Sequence, residues 1–282
     1  MKIAIASGKG GTGKTTLAVN LSAMLAGYRS DVTYVDCDVE EPDGHLFLHP
    51  DITDTETINL MVPAVDESKC NGCGKCGEIC NFSAILPLGE RVLTFTDLCH
   101  GCGGCSLVCP RGAIREVAVE VGDVALGLSN GLRFVQGRIK VGKVQSPLLI
   151  RQAKARANGR GLNIIDSPPG TACPAVEALS GCDYIILVAE PTPFGLNDMK
   201  LAVGLIRMLG IPYGTVINRH DMGDNRLRQY CRREGVEILL EIPEDRTIAE
   251  ISAEGDILID LLPRYAREME KLVAKLKPKL IK

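Results

Sequence analysis

The chain has 282 residues, of which 45% are apolar and 24% are charged, and its formal net charge is −3. Such a chain can bury one large α/β core and a smaller second unit, and its slight negative charge disfavours nucleic acid as a partner. No apolar run in the sequence reaches the roughly 18 residues of a membrane span. The first strand leads into a glycine-rich loop rather than a signal peptide. We therefore expect a cytoplasmic protein with no stable membrane anchor.

Strands and helices are predicted to alternate along most of the chain. Strands at residues 2–7 and 31–36 flank a helix over residues 14–26. The alternation returns later, with strands at 162–166, 184–189, 212–217 and 236–242 and helices at 174–179, 196–209 and 224–234. Continuous apolar runs are typical of strands that are buried on both faces. The pattern predicts an α/β fold in which helices flank a mostly parallel sheet, and it indicates further β-structure over residues 117–144.

A glycine-rich loop joins the first strand to the first helix. Residues 8–15 have the sequence GKGGTGKT, which matches the phosphate-binding pattern G-x-x-x-x-G-K-[ST] in its required place between a strand and a helix. Backbone N–H groups at a helix N-terminus attract phosphate, Lys14 reaches the β- and γ-phosphates, and Thr15 holds Mg²⁺. A glycine loop without a ligand is the alternative. The motif predicts that ATP or ADP binds to Gly8, Lys9, Gly10, Gly11, Thr12, Gly13, Lys14, Thr15 and Thr16.

Eight of the twelve cysteines form two clusters that share the spacing C-x2-C-x2-C-x3-C. The second cluster repeats the first at an offset of 29 residues, which indicates a duplication. In a reducing compartment this spacing is typical of metal binding rather than of disulfides. Three cysteines on a tight loop bind one iron–sulfur cubane, and the fourth binds the neighbouring one. We expect two [4Fe–4S] clusters, one bound by Cys70, Cys73, Cys76 and Cys109 and the other by Cys99, Cys102, Cys105 and Cys80.

The cysteine-rich segment resembles the bacterial two-cluster ferredoxins, most clearly over residues 109–114. Asn81 stands where that family usually has proline, but this difference removes no ligand. Zinc is the alternative metal, and it prefers ligands in tetrahedral pairs rather than a three-plus-one spacing. The resemblance implies a ferredoxin-like domain over residues 63–115, inserted into an ATPase domain formed by residues 1–62 and 116–282.

Lys9 extends the phosphate-binding motif to K-G-G-x-G-K-T. This sequence resembles the deviant Walker A motif of the MinD/ParA/nitrogenase-iron-protein superfamily of P-loop NTPases. Other segments agree with that superfamily in chain order. Residues 34–38 resemble switch I, residues 163–170 resemble Walker B and switch II, and residues 217–219 and 242–245 resemble the adenine pocket.

The resemblance implies a role for each matching residue. Lys9 would cross a dimer interface to the partner's phosphates, Lys14 would act in catalysis, and Asp38 would orient or activate the attacking water. The alternatives are a solvated surface lysine for Lys9 and a carboxylate that only ends a strand for Asp36. The remaining assignments are Mg²⁺ binding by Thr15, Asp36 and Asp166, and recognition of the base by Asn218, Arg219 and Pro243.

Four cysteines lie outside the two clusters. We expect Cys37, Cys182 and Cys231 to be buried as small apolar side chains. Cys173 lies seven residues after Asp166, at the offset where the nitrogenase iron protein has a cysteine that bridges a cluster across its dimer. We therefore treat Cys173 as a transient cluster or metal ligand, with buried packing as the alternative.

The last predicted helix carries apolar residues on one face and lysines on the other. MinD ends in a membrane-binding amphipathic helix, so that role has to be weighed here. We expect Pro278 to end the helix, and we expect its apolar face to pack on the sheet. The residues of this face are Tyr265, Met269, Leu272, Val273 and Leu276.

The two predicted sites suggest that ATP acts on an iron–sulfur module. The first interpretation is that ATP hydrolysis in a homodimer, or in a heterodimer with a related ATPase, gates electron transfer from the clusters to a partner protein. The alternative is a carrier of the Mrp type that delivers clusters or metallocofactors to an acceptor protein. Such carriers have a C-terminal C-x-x-C, whereas Cys231 stands alone. A positioning ATPase of the MinD/ParA type is a third interpretation, which the acidic balance disfavours.

Overall fold

The computed structural model describes residues 1–89, 91–157 and 159–280. Its strands are β1 (Lys2–Ser7), β2 (Val32–Asp36), β3 (Asp51–Val65), β4 (Ile85–Leu88), β5 (Arg91–Thr94), β6 (Ile114–Ser129), β7 (Leu132–Ile139), β8 (Leu162–Asp166), β9 (Tyr184–Ala189), β10 (Tyr213–Asn218) and β11 (Ile238–Ile242). Its helices are α1 (Lys14–Ala26), α2 (Gly44–Leu48), α3 (Lys75–Ile79), α4 (Gly104–Leu107), α5 (Ser146–Ala155), α6 (Cys173–Leu179), α7 (Pro193–Leu209), α8 (Arg226–Glu234), α9 (Arg246–Ala253), α10 (Leu258–Leu261) and α11 (Pro263–Leu280).

The main sheet has the strand order β11-β10-β9-β1-β8-β2-β7-β6-β3. All neighbours from β11 to β7 are parallel, and only β6 and β3 are added in antiparallel fashion. The predicted α/β fold with a mostly parallel sheet is confirmed. In the register, Asp166 is the partner of both Ile5 and Asp36. The carboxyl ends of β1, β2 and β8 therefore meet at one edge, where ligands bind in open parallel sheets.

Helices cover both faces of the sheet because the strand residues alternate between two cores. Ile3 and Ile5 point into the core that contains α1 and α11, whereas Ala4 and Ala6 point into the core that contains α5, α7 and α8. All four residues are at most 4% exposed. This burial on both faces is the reason why the central strands are apolar along their whole length.

A long antiparallel ribbon connects the sheet to the cysteine-rich segment. Strands β3 and β6 pair from Asp51 and Leu128 at one end to Val65 and Ile114 at the other. The ribbon runs through both of the domain boundaries predicted at 62/63 and 115/116, and residues 66–113 follow at its tip. Leu60 and Val62 of the ribbon share a small core with Cys99, so ribbon and cysteine segment pack as one unit.

The predicted element boundaries differ from the structure mainly at helix ends. Helix α7 begins at Pro193 rather than at residue 196, because the Thr192 hydroxyl accepts a hydrogen bond of 3.0 Å from Gly195 N and proline is favoured in a first helical turn. The prediction that Pro278 ends the last helix was wrong, because α11 continues to Leu280. Pro278 leaves the carbonyl of Ala274 without its helical donor, but both residues are exposed to solvent that can replace it.

The apolar face of α11 is buried in the core, as predicted. Tyr265, Met269, Leu272, Val273 and Leu276 are each at most 5% exposed. Among the described residues, the structure contains no helix with the length and hydrophobicity needed to cross a membrane.

Candidate functional site

The phosphate-binding loop is held in place by the end of β10. Gly11 and Gly13 adopt positive φ angles of 74° and 88°, which glycine accepts without strain. Asn218 Nδ2 donates a hydrogen bond of 2.8 Å to the carbonyl oxygen of Thr12. A Cβ atom on Gly13 would lie 2.5 Å from Asn218 Nδ2. The approach of Asn218 therefore requires glycine at position 13.

Lys14 is the buried cation of the site. It is 6% exposed, and its Nζ lies 2.7 Å from Asp166 Oδ1 and 3.9 Å from Asp38 Oδ2. Burial by itself would lower the pKa of Lys14, but the carboxylates of Asp166, Asp38 and Asp36 raise it above its ordinary value. The side chain consequently stays protonated, as binding to phosphate requires.

Two fully buried carboxylates lie at the ends of β2 and β8. Asp36 accepts hydrogen bonds from the backbone N–H groups of Asp38 at 3.1 Å and Gly44 at 3.0 Å. Tyr34 Oη donates a hydrogen bond of 3.0 Å to Asp166 Oδ2. Burial raises the pKa of Asp36 far above its ordinary value, and the negative charge of Asp166 raises it further. Such a pair disfavours a second negative charge unless another cation is present.

Asp38 is the more accessible carboxylate, with its side chain 19% exposed. Burial raises its pKa to about 6, and this effect outweighs the opposing charge of Lys14. Asp36, Asp38 and Asp166 thus bring three acidic groups around one lysine. A magnesium ion would balance this excess of acidic groups.

A polar group without a partner lies on the loop itself. The hydroxyl of Thr12 is buried and has no hydrogen-bond partner within the described part of the chain. Thr15 and Thr16 are half-buried in the first turn of α1. A buried hydroxyl without a partner is unfavourable in a folded protein, and a phosphate oxygen would satisfy it. The loop therefore fits the ligand that its motif predicts.

A cavity of about 610 Å³, measured with its open mouth, adjoins the loop. Gly13, Thr16, Asn218, Arg219 and Pro243 line it, together with Ile242, Glu244 and Asp245 of the segment that resembles the adenine pocket. The sequence did not identify the remaining lining residues, which come from α1, the sheet, α9 and α11. These are Leu17, Val188, Val216, Ile248, Ala249, Ser252 and Tyr265.

Lys9 pairs with a carboxylate that the sequence analysis did not identify. Its Nζ lies 2.9 Å from Glu190 Oε2, just beyond the end of β9. Glu190 Oε1 accepts a second hydrogen bond, of 2.7 Å, from Arg219 Nη1. The Arg219 guanidinium also lies 3.0 Å from Glu244. A run of alternating charges thus connects the loop to the base pocket.

The eight clustered cysteines surround two separate cavities at the tip of the ribbon. Cys70, Cys73, Cys76 and Cys109 line a cavity of about 380 Å³. A second cavity of about 400 Å³ is lined by Cys80, Cys99, Cys102 and Cys105. Each cavity thus takes three cysteines from one copy of the repeat and the fourth from the other copy.

Backbone N–H groups point at the sulfur of the fourth cysteine in each repeat. Ala84 N lies 3.3 Å from Cys80 Sγ, and Ala113 N lies 3.3 Å from Cys109 Sγ. Burial tends to raise the pKa of both thiols, but the surrounding N–H groups outweigh it and lower the pKa. Both side chains are therefore biased toward the thiolate, which is the form that binds metal.

The acidic and cysteine groups do not converge on single points. No three His, Cys, Asp or Glu side chains in the described ranges lie close enough together to hold one metal ion directly. Cys173 is exposed at the start of α6 and lines neither cysteine cavity. The alternative of buried packing for Cys173 was therefore wrong, whereas Cys37, Cys182 and Cys231 are buried as predicted.

The model of the CobQ/CobB/MinD/ParA nucleotide-binding domain matches residues 3–259. The chain belongs to this family. It is a P-loop ATPase of the MinD/ParA class, and the resemblance inferred from Lys9 and the switch segments is confirmed. The match covers the loop, the acidic cluster and most of the base pocket described above.

Individual relatives agree with this assignment. The chain is 30% identical to an uncharacterized protein of Methanocaldococcus jannaschii over 98% of this chain and 96% of that protein. It is 25% identical to an iron-sulfur cluster carrier protein of Pyrococcus abyssi over 98% of this chain and 86% of the carrier. The solved structure of the septum site-determining protein MinD from Pyrococcus horikoshii, complexed with Mg-ADP, covers 98% of this chain and 95% of its own, with 21% identity and a TM-score of 0.60.

Proposed function

We propose that this MinD/ParA-class ATPase couples ATP binding and hydrolysis to electron transfer through two [4Fe–4S] clusters to a partner protein. The observation that carries the proposal is the pair of cavities, each lined by four cysteines. A full set of four thiolate ligands suits a resident cluster. ATP would bring two copies of the chain, or this chain and a related ATPase, into a dimer.

The cysteine sets fit the clusters in chemistry and in accessibility. Clusters of this type accept and release single electrons. The backbone N–H groups that lower the pKa of Cys80 and Cys109 favour the thiolate form of these two side chains. Cys73 and Cys102 are exposed, so one side of each cavity reaches the surface where a partner protein can approach. Four thiols around a cavity also suit a multi-iron group better than a single zinc ion, whose thiolates lie about 3.8 Å apart in a tetrahedron.

The roles proposed for the nucleotide site follow from its charges. The loop N–H groups, the Thr12 hydroxyl and Lys14 would bind the phosphates, and Thr15, Asp36 and Asp166 would hold Mg²⁺ directly or through its water molecules. Asp38, the accessible carboxylate, would orient the attacking water. Lys9 would leave Glu190 and reach the phosphates of the partner subunit, where it would stabilise negative charge.

Contacts between the switch I region and the cysteine segment support coupling of the two sites. Glu40, two residues after Asp38, accepts a hydrogen bond of 2.7 Å from Ser146 Oγ. The adjacent Gln145 Nε2 donates a hydrogen bond of 3.2 Å to the carbonyl oxygen of Asp97, two residues before Cys99. A change in switch I on hydrolysis would therefore reach one cysteine set through a few contacts.

The second candidate function is delivery of a cluster or metallocofactor to an acceptor protein. It is favoured by the relatives named iron-sulfur cluster carrier protein, which align with almost the whole chain at 25–26% identity. Exposed Cys173 would then act as a transient ligand. The two candidates differ in where the iron is found after turnover.

The test uses anaerobically reconstituted protein that has been reduced and freed of excess reductant. It is mixed with an oxidised ferredoxin and, in a parallel reaction, with an apo-ferredoxin, each with MgATP or MgADP. We expect MgATP to accelerate reduction of the ferredoxin at least ten-fold while all iron stays on this protein. Transfer of iron to the apo-ferredoxin without redox acceleration would instead support the carrier. The Lys14→Gln variant is the control that should not respond to ATP.

A further inference from the structure

Glu190 is a nearly buried carboxylate that two cations share. It is 5% exposed, and its two oxygens contact Lys9 Nζ at 2.9 Å and Arg219 Nη1 at 2.7 Å. A carboxylate buried to this degree is stable only when it is paired. Lys9 keeps 35% of its side chain exposed, so its side of the contact borders solvent.

The backbone around Glu190 is fixed by close packing. A Cβ atom on Gly195 would lie 2.3 Å from the carbonyl oxygen of Glu190, and one on Gly223 would clash with the carbonyl oxygen of Pro191. Arg219 adopts a φ of 53°, a conformation that non-glycine residues hold only where the surrounding structure enforces it. The carboxylate and its second cation are therefore positioned before Lys9 arrives.

This arrangement makes Lys9 easier to release. When Lys9 departs, Glu190 remains paired with Arg219, which keeps its other partner Glu244 at 3.0 Å. The energetic cost of an unpaired buried charge, which normally opposes the breaking of a buried ion pair, is thus avoided. A carboxylate with Lys9 as its sole partner would hold that lysine more strongly.

We propose that Glu190 is a positioning residue that holds Lys9 within its own subunit and yields it to a phosphate group when two subunits meet. The proposal rests on the role in the partner subunit that the proposed function gives to Lys9. Glu190 would then oppose dimerisation until ATP supplies a competing anion. It would also link Lys9 to the base pocket, because Arg219 borders that pocket.

Two measurements on Glu190→Gln test the proposal. In the first, lysines are acetylated under limiting reagent and Lys9 modification is followed by mass spectrometry, without added nucleotide. We expect Lys9 to react at least three-fold faster than in the natural chain, while exposed Lys69 is unchanged. Glu244→Gln, which removes a partner of Arg219 alone, is the matched control and should leave Lys9 labelling unaltered.

In the second measurement, sedimentation with a slowly hydrolysed ATP analogue gives the dimer dissociation constant. We expect Glu190→Gln to tighten the dimer about ten-fold and Lys9→Ala to abolish this gain in the double variant. Glu190→Asp keeps the negative charge and should restore most of the Lys9 labelling rate and dimer affinity of the natural chain. It is the variant to measure if Glu190→Gln folds poorly. Unchanged Lys9 labelling overturns the proposal whatever the dimer does. A second outcome is faster Lys9 labelling in Glu190→Gln with no ATP-dependent dimer of either the variant or the natural chain. This result would overturn the role of Lys9 across the interface, and with it the claim that Glu190 opposes dimerisation.

Discussion

Lys14 Nζ donates a hydrogen bond of 2.7 Å to Asp166 Oδ1, and both side chains are at most 7% exposed. The contact joins the first helix to the end of β8 across 152 positions of sequence. Lys14 therefore supports the fold as well as the predicted phosphate site. The two contributions can be separated because they depend on different partners.

We expect Lys14→Gln to lower the free energy of unfolding by about 3–5 kcal/mol, since it leaves buried carboxylates without their cation. Urea denaturation measures this change, and ATP hydrolysis should become undetectable. The double variant Lys14→Gln/Asp166→Asn should regain part of the stability but no activity. Additive losses of stability in the double variant would contradict the pairing.

The pKa of Asp38 predicts how hydrolysis depends on pH. Because burial raises this pKa to about 6, the carboxylate loses its charge as the pH falls through 6. If the ionised form orients water, kcat/KM should be constant above pH 7 and fall about ten-fold per pH unit below 6. Asp38→Asn should lower the rate by a factor of about 10²–10⁴ and remove this pH dependence.

A neighbour of Asp38 provides the control. The negative charge of Asp43 contributes to the raised pKa of Asp38, and Asp43 is exposed. Asp43→Asn should therefore shift the midpoint of the profile to lower pH without reducing the plateau. A midpoint near 4 in the natural chain, the ordinary value for an aspartate, would contradict the raised pKa of Asp38.

The crossed cysteine sets predict which double variants lose one cluster and which lose two. Cys109→Ser should lose about four of eight irons, and adding Cys70→Ser should cause no further loss, because both belong to one set. Cys70→Ser/Cys80→Ser should lose nearly all iron, because these two residues belong to different sets. Iron analysis and EPR of reconstituted protein measure these outcomes.

Cys173 supplies the matched control for the cysteine series. As it lines neither cavity, Cys173→Ser should keep all resident iron. If Cys70→Ser/Cys109→Ser lost nearly all of the iron, the fourth ligands would not be crossed.

The contacts at Asp97 predict a variant in which the two sites are uncoupled. Lys143 Nζ lies 3.6 Å from Asp97 Oδ1, and Gln145 binds the Asp97 carbonyl. Such exposed contacts contribute about 1 kcal/mol or less, so Lys143→Ala/Gln145→Ala should keep its stability, iron content and ATPase rate. Hydrogen exchange of residues 96–100 should no longer differ between MgATP and MgADP.

The control for this variant is Lys140→Ala, whose ion pair with Glu120 lies on the ribbon side of the same loop. It should retain the nucleotide-dependent exchange. An equal loss in both variants would assign the coupling to the ribbon instead.

Local sequence predicted the parts of the site that are formed by contiguous residues. The loop from Gly8 to Thr15 is a strand-to-helix connection whose glycines and lysine define its shape. Strand β9 was predicted at its observed bounds because Ile185 to Val188 are buried on both faces. The cysteine spacing indicates two sets of four residues, and the same residues line the two cavities.

The remaining features depend on contacts between distant residues. Glu190 carries no motif, and its function arises only because β9 places it beside Lys9 and Arg219. Strand β3 was not predicted because its first seven residues are all exposed, so it lacks the apolar pattern of a strand. From the sequence alone, Tyr34 is one of the apolar residues of a buried strand. In the structure its hydroxyl donates a hydrogen bond to Asp166, which lies 132 positions away in the sequence.

The pairing of Val65 with Ile114 places both ends of the cysteine segment side by side. Antiparallel partners lie about 5 Å apart, and the entropy of closing a loop grows only slowly with its length. A two-residue Asn-Gly turn could therefore replace residues 66–113 and close the hairpin. The same position could accept any other unit with adjacent ends, which makes the ribbon tip a point where this ATPase fold can gain or lose an entire inserted segment.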